Sequence, residues 1–344
     1  MKRLARIPGL KIWTLLLLLT GTVSACDVLE EEEEDCAVYV RFKYDMNMEF
    51  ADAFQNAVNS VTLYAFDQDG VLAFQKTEEG DLLKQDGYRM RLDGISHSDK
   101  AKYDFITWAG EPDNASFTIP VLTVGQHTKE DLYCQLNRAG DGIVNDNLDD
   151  LFHGQVTDLN FGRAAMQPGE EVVMPLVKNT NSIRIILQQV SGKPLNVDDF
   201  QFSITDKNGK MNYDNTLLDK DIEINYQAWH TSDGNVSLDE GQVQESTSEI
   251  NVAIAELSVA RLMADMEPEL TITNADGEKV LSIPLVDCAL LYKREKYSDM
   301  PNQEFLDRED EYNFTFFLDE NNNWISSSII INAWRLVFQN SDLG

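Results

Sequence analysis

The residue best placed to do chemistry is Cys26, which closes the stretch Ile12-Trp13-Thr14-Leu15-Leu16-Leu17-Leu18-Leu19-Thr20-Gly21-Thr22-Val23-Ser24-Ala25-Cys26. A cut before Cys26 would set its thiol beside a free α-amine, and both groups can carry acyl chains. Each buried CH₂ contributes about 0.8 kcal/mol, so several chains together hold a protein on a membrane. No other segment carries comparable chemistry. His97, His127, His153 and His230 lie far apart, without the short spacing of a zinc site. There is no Cys-x-x-Cys, no Gly-x-Ser-x-Gly and no glycine-rich phosphate loop. A carboxylate pair for glycoside hydrolysis can always be picked from 59 acidic residues, so picking one carries almost no information. Asp67-Gln68-Asp69-Gly70 echoes the start of a calcium loop but lacks the later ligands, and reads as a hairpin turn. Asp146–Asp150 reads as a solvated loop, with calcium the lesser alternative. The sequence therefore nominates no catalytic residue, cofactor site or metal site, and argues against an enzyme.

Lys2, Arg3, Arg6 and Lys11 precede the apolar run and small residues follow it, the layout of a secretory signal peptide. Ile12 to Leu19 is far shorter than the ~20 apolar residues of a spanning helix. Val23-Ser24-Ala25-Cys26 resembles the lipobox of bacterial lipoproteins, which makes Cys26 the expected lipidated N-terminus; an ordinary secreted protein is the alternative. Glu30-Glu31-Glu32-Glu33-Glu34-Asp35 follows at once, and such a block repels itself and stays solvated. It reads as a tether. It also resembles the acidic tag that sends lipoproteins to the outer surface of some Gram-negative anaerobes, and the two readings are compatible.

Removing residues 1–25 from 344 leaves 319, room for two ordinary domains. The leader holds four Lys/Arg and no acid, so the net charge of −31 becomes −35. Such a surface argues against nucleic acid or anionic lipid as the main partner. Besides Cys26 there are Cys36, Cys134 and Cys288. Three thiols in an oxidising compartment permit one disulfide; Cys36 with Cys134 is the nominated pair because both fall in the first half, but the spacing leaves the connectivity open.

Most of the remaining chain reads as strand. Val38–Tyr44, Ser60–Phe66, Lys102–Trp108 and Asp131–Leu136 are strand-like runs set off by turn signals. Asp69-Gly70, Asn208-Gly209 and Asp276-Gly277 supply the positive φ of tight hairpins. Phe50, Phe54 and Val58 recur at i, i+4 and i+8, predicting a short helix between the first two strands. This pattern predicts an all-β chain of β-sandwich type. Gln167-Pro168-Gly169-Glu170-Glu171 marks a boundary, giving a signal peptide over 1–25, a lipidated cysteine and acidic tether over 26–35, and sandwiches over 36–170 and 171–344. Trp108, Trp229, Trp324 and Trp334 could form a sugar platform, but core packing is the favoured reading.

Several segments resemble one family, the fimbrillin-A associated anchor proteins, lipoproteins at the base of fimbriae in Bacteroidales-type anaerobes. They are Val38–Asn47, Val61–Gly70, Leu151-Phe152-His153-Gly154, Val177-Lys178-Asn179-Thr180-Asn181, Leu257–Met263, Glu304–Arg308, Tyr312–Asp319 and Ile331-Asn332-Ala333-Trp334. The resemblance implies two tandem transthyretin-like Greek-key sandwiches, an outer-membrane lipid anchor, and a role in fixing the fimbrial base and limiting filament length. It implies a fimbrial shaft subunit as partner, joined by β-strand complementation, in which main-chain hydrogen bonds supply affinity and side-chain pockets supply specificity. Shaft subunits of that kind open their groove when a trypsin-like protease cuts after an arginine and removes a first strand. Here no arginine lies between Tyr44 and Arg89, so only Arg41, inside the first strand, is available. A retained first strand keeps the lipid and closes the groove, as suits a subunit that stays on the membrane. The preferred exposed edge is the hairpin Tyr312–Leu318 with Ile329–Phe338, with an internal hairpin as the alternative. Two rival readings share this architecture: a surface glycan-binding lipoprotein and a fimbrial tip adhesin.

Overall fold

The computed structural model describes residues 38–93, 95, 101–161, 171–218, 222–237, 249–332 and 334–337. These form 22 strands and three short α-helices, so the all-β class holds.

The chain begins with β1 (Val38–Lys43), α1 (Phe54–Ala57), β2 (Ser60–Asp67), β3 (Leu72–Glu79), β4 (Met90–Leu92) and β5 (Lys102–Gly110). The short strands β6 (Phe117–Thr118), β7 (Tyr133–Leu136) and β8 (Ile143–Val144) come next, then β9 (Leu151–Asn160), β10 (Glu171–Pro175) and β11 (Val177–Lys178). A three-stranded sheet, β10-β1-β4, and a five-stranded sheet, β11-β9-β5-β2-β3, supply one core. Alternation decides which side chains enter it: Val38, Val40 and Phe42 of β1 are buried while Tyr39, Arg41 and Lys43 are half-exposed.

The rest is β12 (Thr180–Gln189), β13 (Phe200–Asp206), β14 (Lys210–Asn212), β15 (Ile224–Gln227), β16 (His230–Ser237), β17 (Glu249–Ala260), β18 (Glu269–Asn274) and β19 (Lys279–Pro284). Helices α2 (Leu285–Lys296) and α3 (Asn302–Arg308) precede β20 (Glu311–Leu318), β21 (Trp324–Ile331) and β22 (Trp334–Val337). A six-stranded sheet, β16-β17-β12-β20-β21-β22, and a five-stranded sheet, β19-β18-β13-β15-β8, supply a second, larger core.

The hydrogen bonds do not divide the chain at 170/171. Strand β10 runs parallel to β1 and β11 pairs with β9, so residues 171–178 complete the first unit's sheets. In the other direction, β7 pairs with β14 and β8 with β15, and Phe117, Leu132, Cys134, Leu136 and Val144 join the second core. The chain resumes at Glu171 and returns to cover β1.

Two of the three expected hairpin turns form. The Asp67 carboxylate accepts from the Asp69 and Val71 amides, with Gly70 at φ 75°. Asn274 does the same for Asp276 and Glu278, with Gly277 at φ 80°. Asn208-Gly209 is different, because β13 and β14 pair with other strands. Asn208 is wholly buried, donating to the Ala260 and Arg261 carbonyls and accepting from the Tyr226 hydroxyl. The predicted helix is also shorter than its apolar stripe. Phe54 and Val58 are buried, but Phe50 lies outside α1 at φ 53°, exposed beneath Arg308.

Candidate functional site

Strand β1 is the element on which the strand-exchange expectation turns, and it is wedged between two neighbours. Tyr39–Lys43 pairs with Glu171–Pro175 on one side, and Val38–Val40 pairs with Met90–Leu92 on the other. The Phe42 ring stacks on Phe54 (5.6 Å) and Tyr88 (6.4 Å), and Tyr44 meets Phe152 edge-on at 4.9 Å. Arg41 keeps part of its side chain in solvent, ion-paired to Glu171 at 2.7 Å, while its backbone is held in register with Val173. Proteases nick exposed loop tips far more readily than hydrogen-bonded strands.

At the other end of the chain the strand order narrows the expected edge. Strand β20 is interior, parallel to β12 over eight residue pairs and antiparallel to β21. Strand β22 pairs only with β21 among the described residues, so within the nominated hairpin region the edge falls on Trp334–Val337, in its Ile329–Phe338 part.

The two cores are joined by a polar seam. Lys178 lies between Asp150 (2.9 Å) and Asp310 (2.8 Å). Burial opposes its charge, but the two carboxylates prevail and its pKa lies above the ordinary lysine value. Asn179 and Asn215 exchange amide hydrogen bonds at 2.6 and 3.1 Å. Arg261 grips Asp307 with two donors (2.8 and 2.9 Å) and gives a third to the Asn215 carbonyl at 2.7 Å. Arg308 reaches the Asp45 and Asn47 carbonyls just after β1. His153 donates from Nε2 to the Tyr213 carbonyl at 2.8 Å, its ring against Trp108 at 4.7 Å. At Gly154 a Cβ would fall 2.6 Å from the Pro175 carbonyl oxygen, so only glycine admits this approach. The segments from Leu151, Val177, Leu257 and Glu304, scattered in sequence, thus converge here. Sequence reading missed the seam. Its one signal was polar residues such as Asn179, Asn181 and Arg261 breaking apolar strand ends.

Two buried groups make stability depend on pH. Burial, opposed by the Lys207 amide, raises Asp206 from 3.8 to about 6, so the folded state favours the protonated acid. Stability should fall by about 3 kcal/mol as pH rises between those values, and Asp206→Asn should abolish that fall. Burial lowers His153 from 6.5 to about 4, so the folded state favours the neutral ring. Here stability is lost as pH falls from 6.5 toward 4, again by about 3 kcal/mol, and His153→Gln should flatten that slope. Urea unfolding at pH 4, 5.5 and 7.5 separates the two, and parallel curves for both variants and the parent would refute the assignment.

Cys26, Cys36 and the acidic tether lie outside the described residues, as does His97. Cys134 is buried in the second core, its thiol pushed well up by desolvation; burial and then Asp287 push Cys288 up to about 12. The described residues hold no cluster of His, Cys, Asp or Glu able to bind a metal. In the 146–150 loop, Asp149 accepts from the Ala115 and Ser116 amides and Asp150 from Lys178 and Thr180. Trp108 is core, and Trp324 packs against Phe316. Trp229 is 38% exposed, and the Trp334 side chain lies outside the described ones.

The described residues thus present two packed β cores joined by a polar seam. The chain matches the model of the fimbrillin-A associated anchor proteins Mfa1 and Mfa2 over residues 32–340, and belongs to that family. The resemblance seen in its sequence segments is borne out. Among solved structures, an inferred adhesin from Bacteroides thetaiotaomicron is 33% identical, with a TM-score of 0.76 over 88% of this chain and 97% of that one. An inferred polysaccharide-binding protein from the same organism is 31% identical, with a TM-score of 0.75 over 89% and 99%. The fimbrial anchor protein Mfa2 from Porphyromonas gingivalis shares the fold at 16% identity, with a TM-score of 0.63 over 88% and 98%. No curated protein matches the chain. The chain is thus a fimbria-associated surface protein.

Proposed function

We propose that this protein is an outer-membrane lipoprotein, anchored through Cys26, that fixes a fimbrium to the cell surface, limits its length, and meets the shaft subunit by β-strand complementation. The observation that carries this reading is β1. Its apolar face is buried in the first core, its backbone is paired on both sides, and no arginine follows it before Arg89. A subunit that keeps this strand has no open groove, so growth by groove filling ends on it. The edge strand β22 is the proposed contact with the shaft, because its outward main-chain groups lack a strand partner among the described residues.

Replacing Cys26 with alanine is expected to move the protein from the membrane fraction to the medium, with the fimbriae following it. Loss of the acyl chains carried through the thiol and the α-amine removes the buried CH₂ groups that hold it. Immunoblots of membrane and medium give the answer, and a membrane-retained Cys26→Ala protein would refute the lipid anchor.

A second reading, glycan contact at the cell surface, is favoured by the inferred polysaccharide-binding relative at 31% identity and by the exposure of Trp229.

A further inference from the structure

Trp229 stands at the rim of a cleft of about 240 Å³ on the outer face of the six-stranded sheet. The strand register builds its floor. His230 lies opposite Glu256, Glu256 opposite Arg184, and Arg184 opposite Asn313, so four adjacent strands present these residues in one row. Neighbouring strands are about 4.8 Å apart, which sets the spacing of the row. Ser182, flanked by Ser258 and Glu311, begins a parallel row two residues away. The 146–150 loop closes one side, where Asn147 accepts from the Ser258 hydroxyl at 2.7 Å.

The groups lining this cleft have hydrogen-bonding capacity to spare. Arg184 Nε stays 3.9 Å from the Glu256 carboxylate, beyond hydrogen-bond range, and nearly half of the Arg184 side chain is in solvent. Among the described residues the side chains of Ser182, Glu311 and Asn313 make no hydrogen bond. The Trp229 backbone is fixed by its amide donating to the Glu256 carbonyl at 3.0 Å, and its ring lies 5.6 Å from the His230 ring.

We infer that this cleft is a saccharide subsite, taking one pyranose ring of a neutral glycan with its C–H face on the Trp229 indole. This rests on the glycan-contact reading above and gives that reading a location. A pyranose presents adjacent hydroxyls that both donate and accept, and a donor-only guanidinium, acceptor-only carboxylates and an amide that does both match them. An aromatic face beside a few convergent polar groups is how small-ligand sites fix orientation. A net charge of −31 repels uronic or sulfated sugars, which leaves neutral glycans.

The test is saturation-transfer NMR of the full chain with malto-, cello-, manno- and galacto-oligosaccharides and chitobiose. At least one is expected to bind, Trp229→Ala to weaken it about tenfold or more, and Asn313→Ala by several-fold. Trp229→Phe keeps an aromatic face and should retain most of the affinity. Both positions are on the surface, so unchanged urea midpoints confirm folded variants. Binding that survives Trp229→Ala overturns the site and leaves the glycan reading standing; no binding by any of these sugars overturns both. Neither outcome touches the anchoring reading, which is measured on fimbriae.

Discussion

Asp307→Ala is expected to destabilise the protein by about 3–5 kcal/mol, the range for removing one partner of a buried ion pair. Arg261 and Asp307 are each only about a tenth exposed, at 10% and 11%. The loss is asymmetric because the arginine stays behind. Two of its donors face Asp307, so the variant leaves a charged group with little water to replace them. Gln303, which donates to Asp307 Oδ1 at 2.9 Å while accepting from the Ala264 amide, loses its register too. Replacing both partners with apolar residues (Arg261→Met with Asp307→Leu) should recover much of the stability, since no charge is then stranded. Urea midpoints of the three proteins decide the matter. A single-variant loss below about 1 kcal/mol would mean the pair is solvated and the seam soft. The mechanical consequence is direct, because α3 carries both Asp307 and the Arg308 that holds the segment after β1.

Phe42→Ala carries the second large effect, about 3–5 kcal/mol, the usual loss for a buried phenylalanine. Phe42 is 2% exposed and belongs to a three-ring stack with Phe54 and Tyr88, whose hydroxyl donates to Glu78 at 2.6 Å. The functional readout is proteolysis. In the parent, Arg41 is paired in the sheet and trypsin should leave that bond uncut. If the full loss falls on β1, its open state becomes about a hundred- to several-thousandfold more populated, and cleavage after Arg41 accelerates in proportion. Mass mapping of the first tryptic cut checks this. Equal cleavage rates at Arg41 in both proteins would show that β1 does not govern access to the groove.

How much of this was legible in the sequence depended on whether local pattern or distant partners decide the structure. The strand at Val38–Lys43 was legible because its alternation, a period of two, is a local property. Asp67-Gly70 was legible for the same reason, being a turn closed by its own residues. Asn208-Gly209 misled because the same dipeptide serves a buried contact with Ala260, Arg261 and Tyr226, which lie far away in sequence. Phe50 fitted a helical period but was drawn out by Arg308, more than 250 residues away in the chain. The pairing across 170/171 was hidden for the same reason, since nothing local says that Glu171–Pro175 will run parallel to β1. For the site, the absence of an arginine between Tyr44 and Arg89 could be read directly, and which strand of the nominated C-terminal hairpin forms the edge could not. Strand order is set by pairing partners, and both strands of that hairpin look alike in isolation.

The central claim is that this subunit ends the filament and keeps it on the cell. Its most direct test is deletion of the gene, followed by electron microscopy and immunoblotting of shaft subunits in cells and medium. The account predicts long filaments shed into the medium, with attachment restored by the parent gene and not by one encoding Cys26→Ala. Filaments of unchanged length that remain attached to the deletion strain would contradict it.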